Sequence, residues 1–322
     1  MAPSMVLPAS ARPDVLPTDR LLANGMARPG LRSDLRRIDD ARNALSVVAV
    51  WTWIAVIIGG ATWIDRWWGY AVAFLLMCTM YPRLAILMHE AAHRLLFTDK
   101  RWNDAVGTWL VAYPAWVPIA IYRRGHMTHH REEFGPGEPD MAFYGGYPCA
   151  RRDLARRLVR DAVGISGWKN LTPLLRSLRN PAFRRTGWSI LGVQAVLWAV
   201  LWAATGRWWT YPLLWWLPWM TGWRVLNRLR AIAEHGGLEA GSDRRVTTHD
   251  VTQHWIARFC FVPYNTGWHL AHHVDMGVPW RNLPRFHAEL VRAGYVTPAT
   301  TYPSYRALWR ALTSGATPEA AA

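Results

Sequence analysis

Histidine carries the clearest chemical signal in this chain of 322 residues. Eight of the twelve histidines fall into three short clusters, and imidazole is the commonest protein ligand of metal ions. The clusters are one H-x-x-x-H and two copies of H-x-x-H-H: His89 and His93; His126, His129 and His130; His269, His272 and His273. Because positions i, i+3 and i+4 share a helix face, each cluster can aim its imidazoles at one point. The repeated pattern predicts a metal centre.

The first cluster is also a literal H-E-x-x-H, which on a helix is typical of zinc metalloproteases with the glutamate as general base. An intramembrane protease of this kind needs a carboxylate ligand from a neighbouring span. The candidate spans offer no acidic residue beyond Asp65 at a loop. Imidazole suits iron, copper, zinc and nickel alike, but eight imidazoles are too many for one zinc ion and indicate two metal ions. A zinc protease and a non-enzymatic metal-binding membrane protein are therefore remote alternatives.

The elements that must position these clusters are apolar stretches. Four of them are about as long as the roughly 20 residues that cross a bilayer. They are residues 45–64, 68–88, 188–206 and 208–226. A fifth stretch, 105–122, is interrupted by Pro114 and Pro118. We interpret it as a pair of short interfacial or re-entrant helices, with a broken fifth span as the alternative.

The pattern predicts an all-α integral membrane protein with one membrane domain. Residues 1–42 are rich in Pro, Ala, Arg and Asp, and we expect them to form a mobile or surface-lying cytosolic arm. The domain would cover residues 43–322. Its helical cap, formed by 89–187 and 227–322, would hold the histidines.

The charge distribution predicts the orientation of the chain. The net charge is +15, almost all of it from arginine, and the arginines flank the apolar spans instead of forming one stripe. This arrangement favours the anionic inner surface of a membrane over nucleic acid. By the positive-inside rule both termini, the central loop and the histidine clusters are cytoplasmic, in what we expect to be a bacterial inner membrane. Three widely spaced cysteines give no disulfide framework, which fits a reducing compartment.

The three clusters, with paired spans before the first and between the second and third, resemble the histidine boxes of the membrane fatty acid desaturase and hydroxylase superfamily. The stretches "HHREEFGPGEPD", "YNTGWHLAHH" and "VPWRNLPRFH" are similar to the surroundings of the family's boxes. The resemblance implies four transmembrane helices under a cytosolic cap that holds two non-haem iron ions.

The resemblance also implies a ninth ligand, His235, in the "AEHGG" that follows the last predicted span. The implied ligand set is His89, His93, His126, His129, His130, His235, His269, His272 and His273. Asn227, Glu234 and Asn265 are candidates for residues that support the ligands, and a role at a helix end or turn is at least as plausible for each. The remaining histidines, His249, His254 and His287, match no box and are interpreted as surface or structural residues.

The family resemblance implies an oxidoreductase that uses two iron ions and dioxygen. An aliphatic C–H bond has no acidic proton, so acid–base side chains cannot open it, and we assign no separate acid or base. The expected reaction is desaturation of a fatty acyl chain, in a lipid or a thioester. A hydroxylase or a carotenoid-type ketolase with the same boxes is the alternative. The chain has no flavin, nicotinamide or haem motif, so electrons are expected from a separate ferredoxin, rubredoxin or cytochrome.

Overall fold

The structure is a computed structural model that describes residues 4–314. Within this range the chain is mostly helical, which confirms the all-α part of the predicted class. The α-helices of these residues are α1 (Pro29–Leu35), α2 (Asp40–Ile64), α3 (Trp67–His93), α4 (Lys100–Val106), α5 (Ile119–Glu132), α6 (Met141–Tyr144), α7 (Arg151–Ala162), α8 (Ile165–Ser177), α9 (Arg184–Thr205), α10 (Leu217–Met220), α11 (Gly222–His235), α12 (Arg244–Thr247), α13 (Trp255–Cys260), α14 (His269–Val274), α15 (Leu283–Arg292) and α16 (Tyr305–Leu312).

The other regular elements are short. A 3-10 helix covers Ala9–Ala11, and π-helical segments cover Gly107–Ala112 and Pro212–Trp216. Strands β1 (Asp250–Val251) and β2 (Thr301–Tyr302) pair in parallel.

Contacts divide the chain into two compact units. One contains the described residues of Met1–Ile38, Arg124–Arg156 and Arg228–Ala322, and we call it the histidine-rich unit. The other, the long-helix unit, contains Asp39–Arg123 and Arg157–Asn227. The proposed division into an arm at 1–42 and one membrane domain at 43–322 stays a prediction.

Helices α2, α3 and α9 have the length and hydropathy that a membrane crossing needs. They contain the first three predicted spans. The Asp39 side chain caps α2 by accepting from the Arg42 backbone N–H at 3.0 Å, and α2 and α9 end at left-handed residues, Asp65 and Gly206. Apolar side chains such as Trp53 and Val196 are exposed along these helices, as expected for surfaces in contact with lipid.

The predicted fourth span, 208–226, is not one continuous helix. Its residues form the π-helical segment Pro212–Trp216 and the short α10, and the helical path stops at Thr221 (φ −123°, ψ −86°) before α11 begins. Pro218 follows the π-helical segment by two residues, as expected for a residue that has no N–H to donate and whose ring disturbs the preceding turn. The number of membrane crossings therefore stays a prediction.

The interrupted stretch 105–122 does contain two helical segments. The first is α4 with its π-helical extension to Ala112, and the second is α5. Within the long-helix unit Gly107 packs so closely on α3 that an added Cβ would lie 2.5 Å from the Cβ of Ala91. The Arg123 guanidinium donates to the carbonyls of Ala91 and Ala92, both at 2.9 Å, and so satisfies the end of α3 beside His93.

The core of the histidine-rich unit surrounds α14. Leu270, Ala271 and Val274 of this helix pack with Phe286 and Leu290 of α15. The described part of the N-terminal segment contributes buried side chains to the same core: Leu21, Ala27 and Leu35. Packing does not measure mobility, so the predicted mobility of the arm stays a prediction.

Candidate metal centre

Four helices carry the predicted ligands. His89 and His93 lie one turn apart at the end of α3, and His126, His129 and His130 lie in the last two turns of α5. His235 is the last residue of α11, and His269, His272 and His273 belong to α14. All of these histidines except the half-buried His93 are buried.

One group of imidazoles forms within the histidine-rich unit from three helices. His129, His235, His269 and His273 each offer a ligand atom, and these atoms lie within 4.8 Å of one another. The Nε2 atom of His269 is 3.0 Å from the Nε2 atoms of both His235 and His273. His235, which stands outside every box, is thus brought to the same point as the box histidines.

A second group in the same unit contains His126, His130 and His272, whose ligand atoms also lie within 4.8 Å of one another. The Nε2 atom of His130 is 3.1 Å from that of His126 and 3.0 Å from that of His272. The unit therefore brings seven of the nine predicted ligands into two adjoining groups.

His89 and His93 belong to the long-helix unit. Their ring centroids are 4.6 Å apart, so the pair faces one side of α3. Glu90, the central acid of the H-E-x-x-H, is buried with its Oε1 atom 3.5 Å from the Nδ1 atom of His89. Their participation in one centre with the other seven histidines stays a prediction.

Oxygen acceptors hold the second nitrogen of three ligands. The Nδ1–H group of His235 donates to the Thr247 carbonyl at 2.8 Å. Those of His273 and His129 donate to the carboxylates of Glu133 (2.6 Å) and Glu138 (2.9 Å), respectively. A proton on Nδ1 leaves Nε2 of a neutral imidazole with a bare lone pair, which is the form that binds a metal. Glu133 and Glu138 are thus placed to orient the rings of His273 and His129. Both occur in the quoted stretch after the second cluster, where only the resemblance to the family's surroundings signalled them.

Electrostatics favours neutral imidazole at two of these ligands. Burial, reinforced by the nearby imidazoles His129 and His130 respectively, holds the pKa of His235 and of His273 well below the usual value. At His129, burial opposes the charged form, but the hydrogen bond and charge of Glu138 outweigh it and raise the pKa. The same pair lowers the pKa of Glu138 against the effect of its burial.

The donor set fits metal ions. The Nε2 atom of His269 has at most one proton, so it can satisfy only one of its two Nε2 neighbours, and the remaining lone pairs would repel each other without a cation. Two imidazole nitrogens about 2.1 Å from one ion and at right angles to each other lie about 3.0 Å apart. The observed Nε2 separations of 3.0 and 3.1 Å match that value.

Among the candidate supporting residues, Glu234 is the one with a direct contact to a ligand. Its Oε1 atom accepts from Arg230 at 2.7 Å and lies 3.5 Å from Nδ1 of His269. Asn265 adopts a left-handed conformation (φ 64°) in the turn before α14, and Asn227 is half-buried inside α11. The role of each in the centre stays a prediction.

The three histidines outside the predicted ligand set occupy structural positions. His249 is buried and donates through Nε2 to the Gly236 carbonyl at 2.8 Å. His287 bonds to Asp250 at 2.9 Å. The exposed His254 caps α13 by accepting from the Ile256 N–H at 3.3 Å.

Comparison with known proteins identifies the family. The model of the fatty acid desaturase family matches residues 65–309, which include all nine candidate ligands. The chain belongs to the fatty acid desaturase family. It is therefore an oxidoreductase with a desaturase or related oxidase activity.

Two desaturases are similar to this family member. Dihydrorhizobitoxine desaturase of Bradyrhizobium elkanii is 26% identical over 237 residues, which cover 68% of this chain and 67% of that protein. The sn-1 acyl-lipid omega-3 desaturase (ferredoxin) of Nostoc sp. (strain 36) is 28% identical over 112 residues, or 34% of this chain and 31% of that protein. Both relatives are named as desaturases.

Proposed function

We propose that the protein uses two iron ions and dioxygen to desaturate a fatty acyl chain in a lipid or thioester. The observation that carries this proposal is the presence of two groups of buried imidazoles. Within each group, neighbouring Nε2 atoms lie 3.0 to 3.1 Å apart. Two groups fit two ions, and the family provides the reaction type.

The proposed ligands divide between the two ions. One ion would be held by His129, His235, His269 and His273, and the other by His126, His130 and His272; His89 and His93 complete the proposed set of nine. We include the last two because they face one side of α3, are the same residue type and fall within the matched family range. Four or five imidazoles per ion are enough to hold it and leave at least one position open to dioxygen.

The two iron ions would supply the oxidising power that activates dioxygen for removal of hydrogen from an unactivated C–H bond. The protein's own side chains do the rest. Glu133, Glu138 and the Thr247 carbonyl keep protons on Nδ1 and orient the rings. Burial of the ligands excludes water, which prevents side reactions. No side chain is assigned as a separate acid or base.

The electron donor is proposed to be a small soluble carrier such as a ferredoxin, rubredoxin or cytochrome. The relative from Nostoc is named as ferredoxin-dependent, which supports this class. The strongly basic chain, at +15, would attract an acidic donor and raise the rate of encounter. We further propose that both termini and the histidines face the cytoplasm of a bacterial inner membrane.

A second candidate is a substrate other than an acyl lipid. The relative with the longer matched segment is named for dihydrorhizobitoxine instead of an acyl lipid. A hydroxylase or carotenoid-type ketolase uses the same kind of site. These alternatives differ in product, so product analysis separates them.

The test is mass spectrometry of lipids from a bacterial host that expresses the full chain with a ferredoxin and its reductase. A matched host expresses His272→Ala. We expect an acyl product that lacks two hydrogens and appears with the wild-type chain alone. A product with an added oxygen would identify a hydroxylase, and an unchanged lipid profile with fully iron-loaded enzyme would contradict acyl-lipid desaturation.

A further inference from the structure

The N-terminal segment packs against the back of the third histidine box. Leu21, Ala27 and Leu35 are fully buried and share one hydrophobic cluster with Leu270 and Ala271 of α14. Leu270 and Ala271 lie between His269 and His272 in this short helix. The N-terminal segment lies outside residues 65–309, the range that matches the family.

A buried ion pair joins the two elements. Asp275 ends α14, two residues after His273, and its side chain is fully buried. Arg36, which ends α1, contacts both carboxylate oxygens: Nη2 donates to Oδ1 at 2.6 Å and Nε to Oδ2 at 3.3 Å. Arg32 adds a second positive charge at 3.5 Å. A buried carboxylate is stable only when it is paired, so this contact fixes the end of α14 relative to α1.

Two further contacts show that the site around the ion pair is closely fitted. A Cβ on Gly277 would lie 2.7 Å from the Arg36 guanidinium carbon, so the absence of a side chain there makes room for the arginine. The Asn282 side chain donates to the Leu35 carbonyl at 2.9 Å and holds the end of α1 from the other side.

We propose that the contacts of Arg36, Leu21, Ala27 and Leu35 with α14 form a positioning element of the metal centre, with Arg36 and Asp275 as its key pair. The pair sets the position of α14 along its axis. Leu21, Ala27 and Leu35 pack against the apolar side chains of α14. A helix of six residues has little stability of its own, so the direction of His269, His272 and His273 depends on what it packs against. This inference rests on the proposed function, because it concerns the ligands of the proposed ions.

The test measures metal binding by the full chain in detergent. Metal-free protein is titrated with Co²⁺ alone, and the affinity and visible ligand-field spectrum are recorded for the wild type, Arg36→Ala and Asp275→Asn. We expect each substitution to weaken at least one of two Co²⁺ sites by about 10-fold or more and to alter its spectrum. Arg36→Lys keeps the charge but loses the two-pronged contact, so its affinity should be intermediate.

The matched control is Arg20→Ala. Arg20 makes an equally close two-pronged pair with Glu289 of α15, at 2.7 and 2.8 Å, but does not contact α14. It should lower the melting temperature without changing the Co²⁺ affinity or spectrum. Wild-type binding in Arg36→Ala and Asp275→Asn, or an equal loss in Arg20→Ala, would overturn the inference.

Two further outcomes of the Co²⁺ titration are informative. If Arg36→Ala fails to fold, Arg36→Lys decides, and an affinity and spectrum equal to the wild type would overturn the inference. A folded wild-type chain that binds no Co²⁺ would overturn the proposed function itself. These failures are distinguishable, because the first leaves the wild-type sites intact.

Discussion

A histidine binds a metal only through a nitrogen without a proton, and in this protein oxygen acceptors determine which nitrogen that is. His235 donates to a backbone carbonyl, whereas His129 and His273 donate to carboxylates. The acceptors come from Thr247, Glu138 and Glu133. Each ring is thereby fixed in orientation as well as in tautomer.

The spacing of the boxes predicted which histidines share a helix face, but not how they divide between the two groups. Spacing within a helix sets which side chains share a face, so His126 and His130 needed no tertiary information. The sequence did not predict the hydrogen-bond partners of the Nδ1 atoms. Glu133 lies 140 residues from His273 in the chain, and no local pattern links them.

His235 provides the sharpest test at the residue scale. Its Nε2 atom lies 3.0 Å from that of His269, so His235→Ala removes a proposed ligand and not a distant support. We expect both His235→Ala and His272→Ala to lose iron and turnover by about 100-fold or more, since loss of a supporting residue alone costs about 10- to 100-fold. Metal analysis and turnover of the purified variants measure this.

The exposed His254 is the control for that experiment. His254→Ala removes an imidazole that only caps α13 and should keep both iron and turnover. Full iron content in His235→Ala would show that another residue closes the site.

His249 makes stability depend on pH. Burial lowers its pKa from 6.5 to about 4 in the folded protein. The unfolded chain then binds a proton below pH 6.5 that the folded chain does not, so stability is complete above 6.5 and falls as the pH drops towards 4. The full effect is about 3 kcal/mol, at 1.36 kcal/mol per pKa unit.

Melting curves in detergent between pH 7 and pH 4 check this effect. His249→Gln should lose less stability on acidification than the wild type, whereas His254→Gln, at an exposed position, should follow the wild-type curve. Parallel curves for the wild type and His249→Gln would contradict the assigned cause.

At the scale of elements, hydropathy predicted the three long helices but not the interruption at Thr221 within the fourth predicted span. Apolar composition measures whether a segment can enter a membrane, and it does not register hydrogen bonds lost at proline. Pro212 and Pro218 were visible in the sequence, and they lie in the irregular part of that span, which ends at Met220 before α11 begins. The scattered apolar residues of the N-terminal segment, such as Leu21 and Leu35, show no period that would predict their burial.

Close packing of α8 gives a prediction for helix contacts in the long-helix unit. A Cβ on Gly167 would lie 2.3 Å from the Met220 carbonyl oxygen, and this backbone atom cannot rotate away. We expect Gly167→Ala to destabilise the fold by about 1–3 kcal/mol, which melting curves in detergent will show as a lower melting temperature.

Gly192 is the matched control, since it lies inside α9 with open space around its missing side chain. Gly192→Ala should leave stability unchanged or raise it by up to about 1 kcal/mol, because alanine favours a helix more than glycine does. Equal effects of the two substitutions would contradict the packing argument.

At the scale of the whole molecule, the basic loops predict the topology. The arginine-rich segment 123–185 and the residues after Arg224 should face the cytoplasm, whereas the loop between α2 and α3 should face the other side. Reporter domains fused at Ala150 and at the C-terminus should therefore be active as cytoplasmic fusions. A tag at Trp67 should be accessible from outside. A periplasmic reporter at Ala150 would contradict the orientation and separate the boxes across the membrane.

The central claim is that nine histidines hold two iron ions. The most direct measurement is the metal content per chain of the purified wild-type protein, determined by mass spectrometry of the elements together with protein quantification. Our account predicts close to two irons per chain and little zinc. A single zinc ion per chain, the content of an H-E-x-x-H protease, would contradict it.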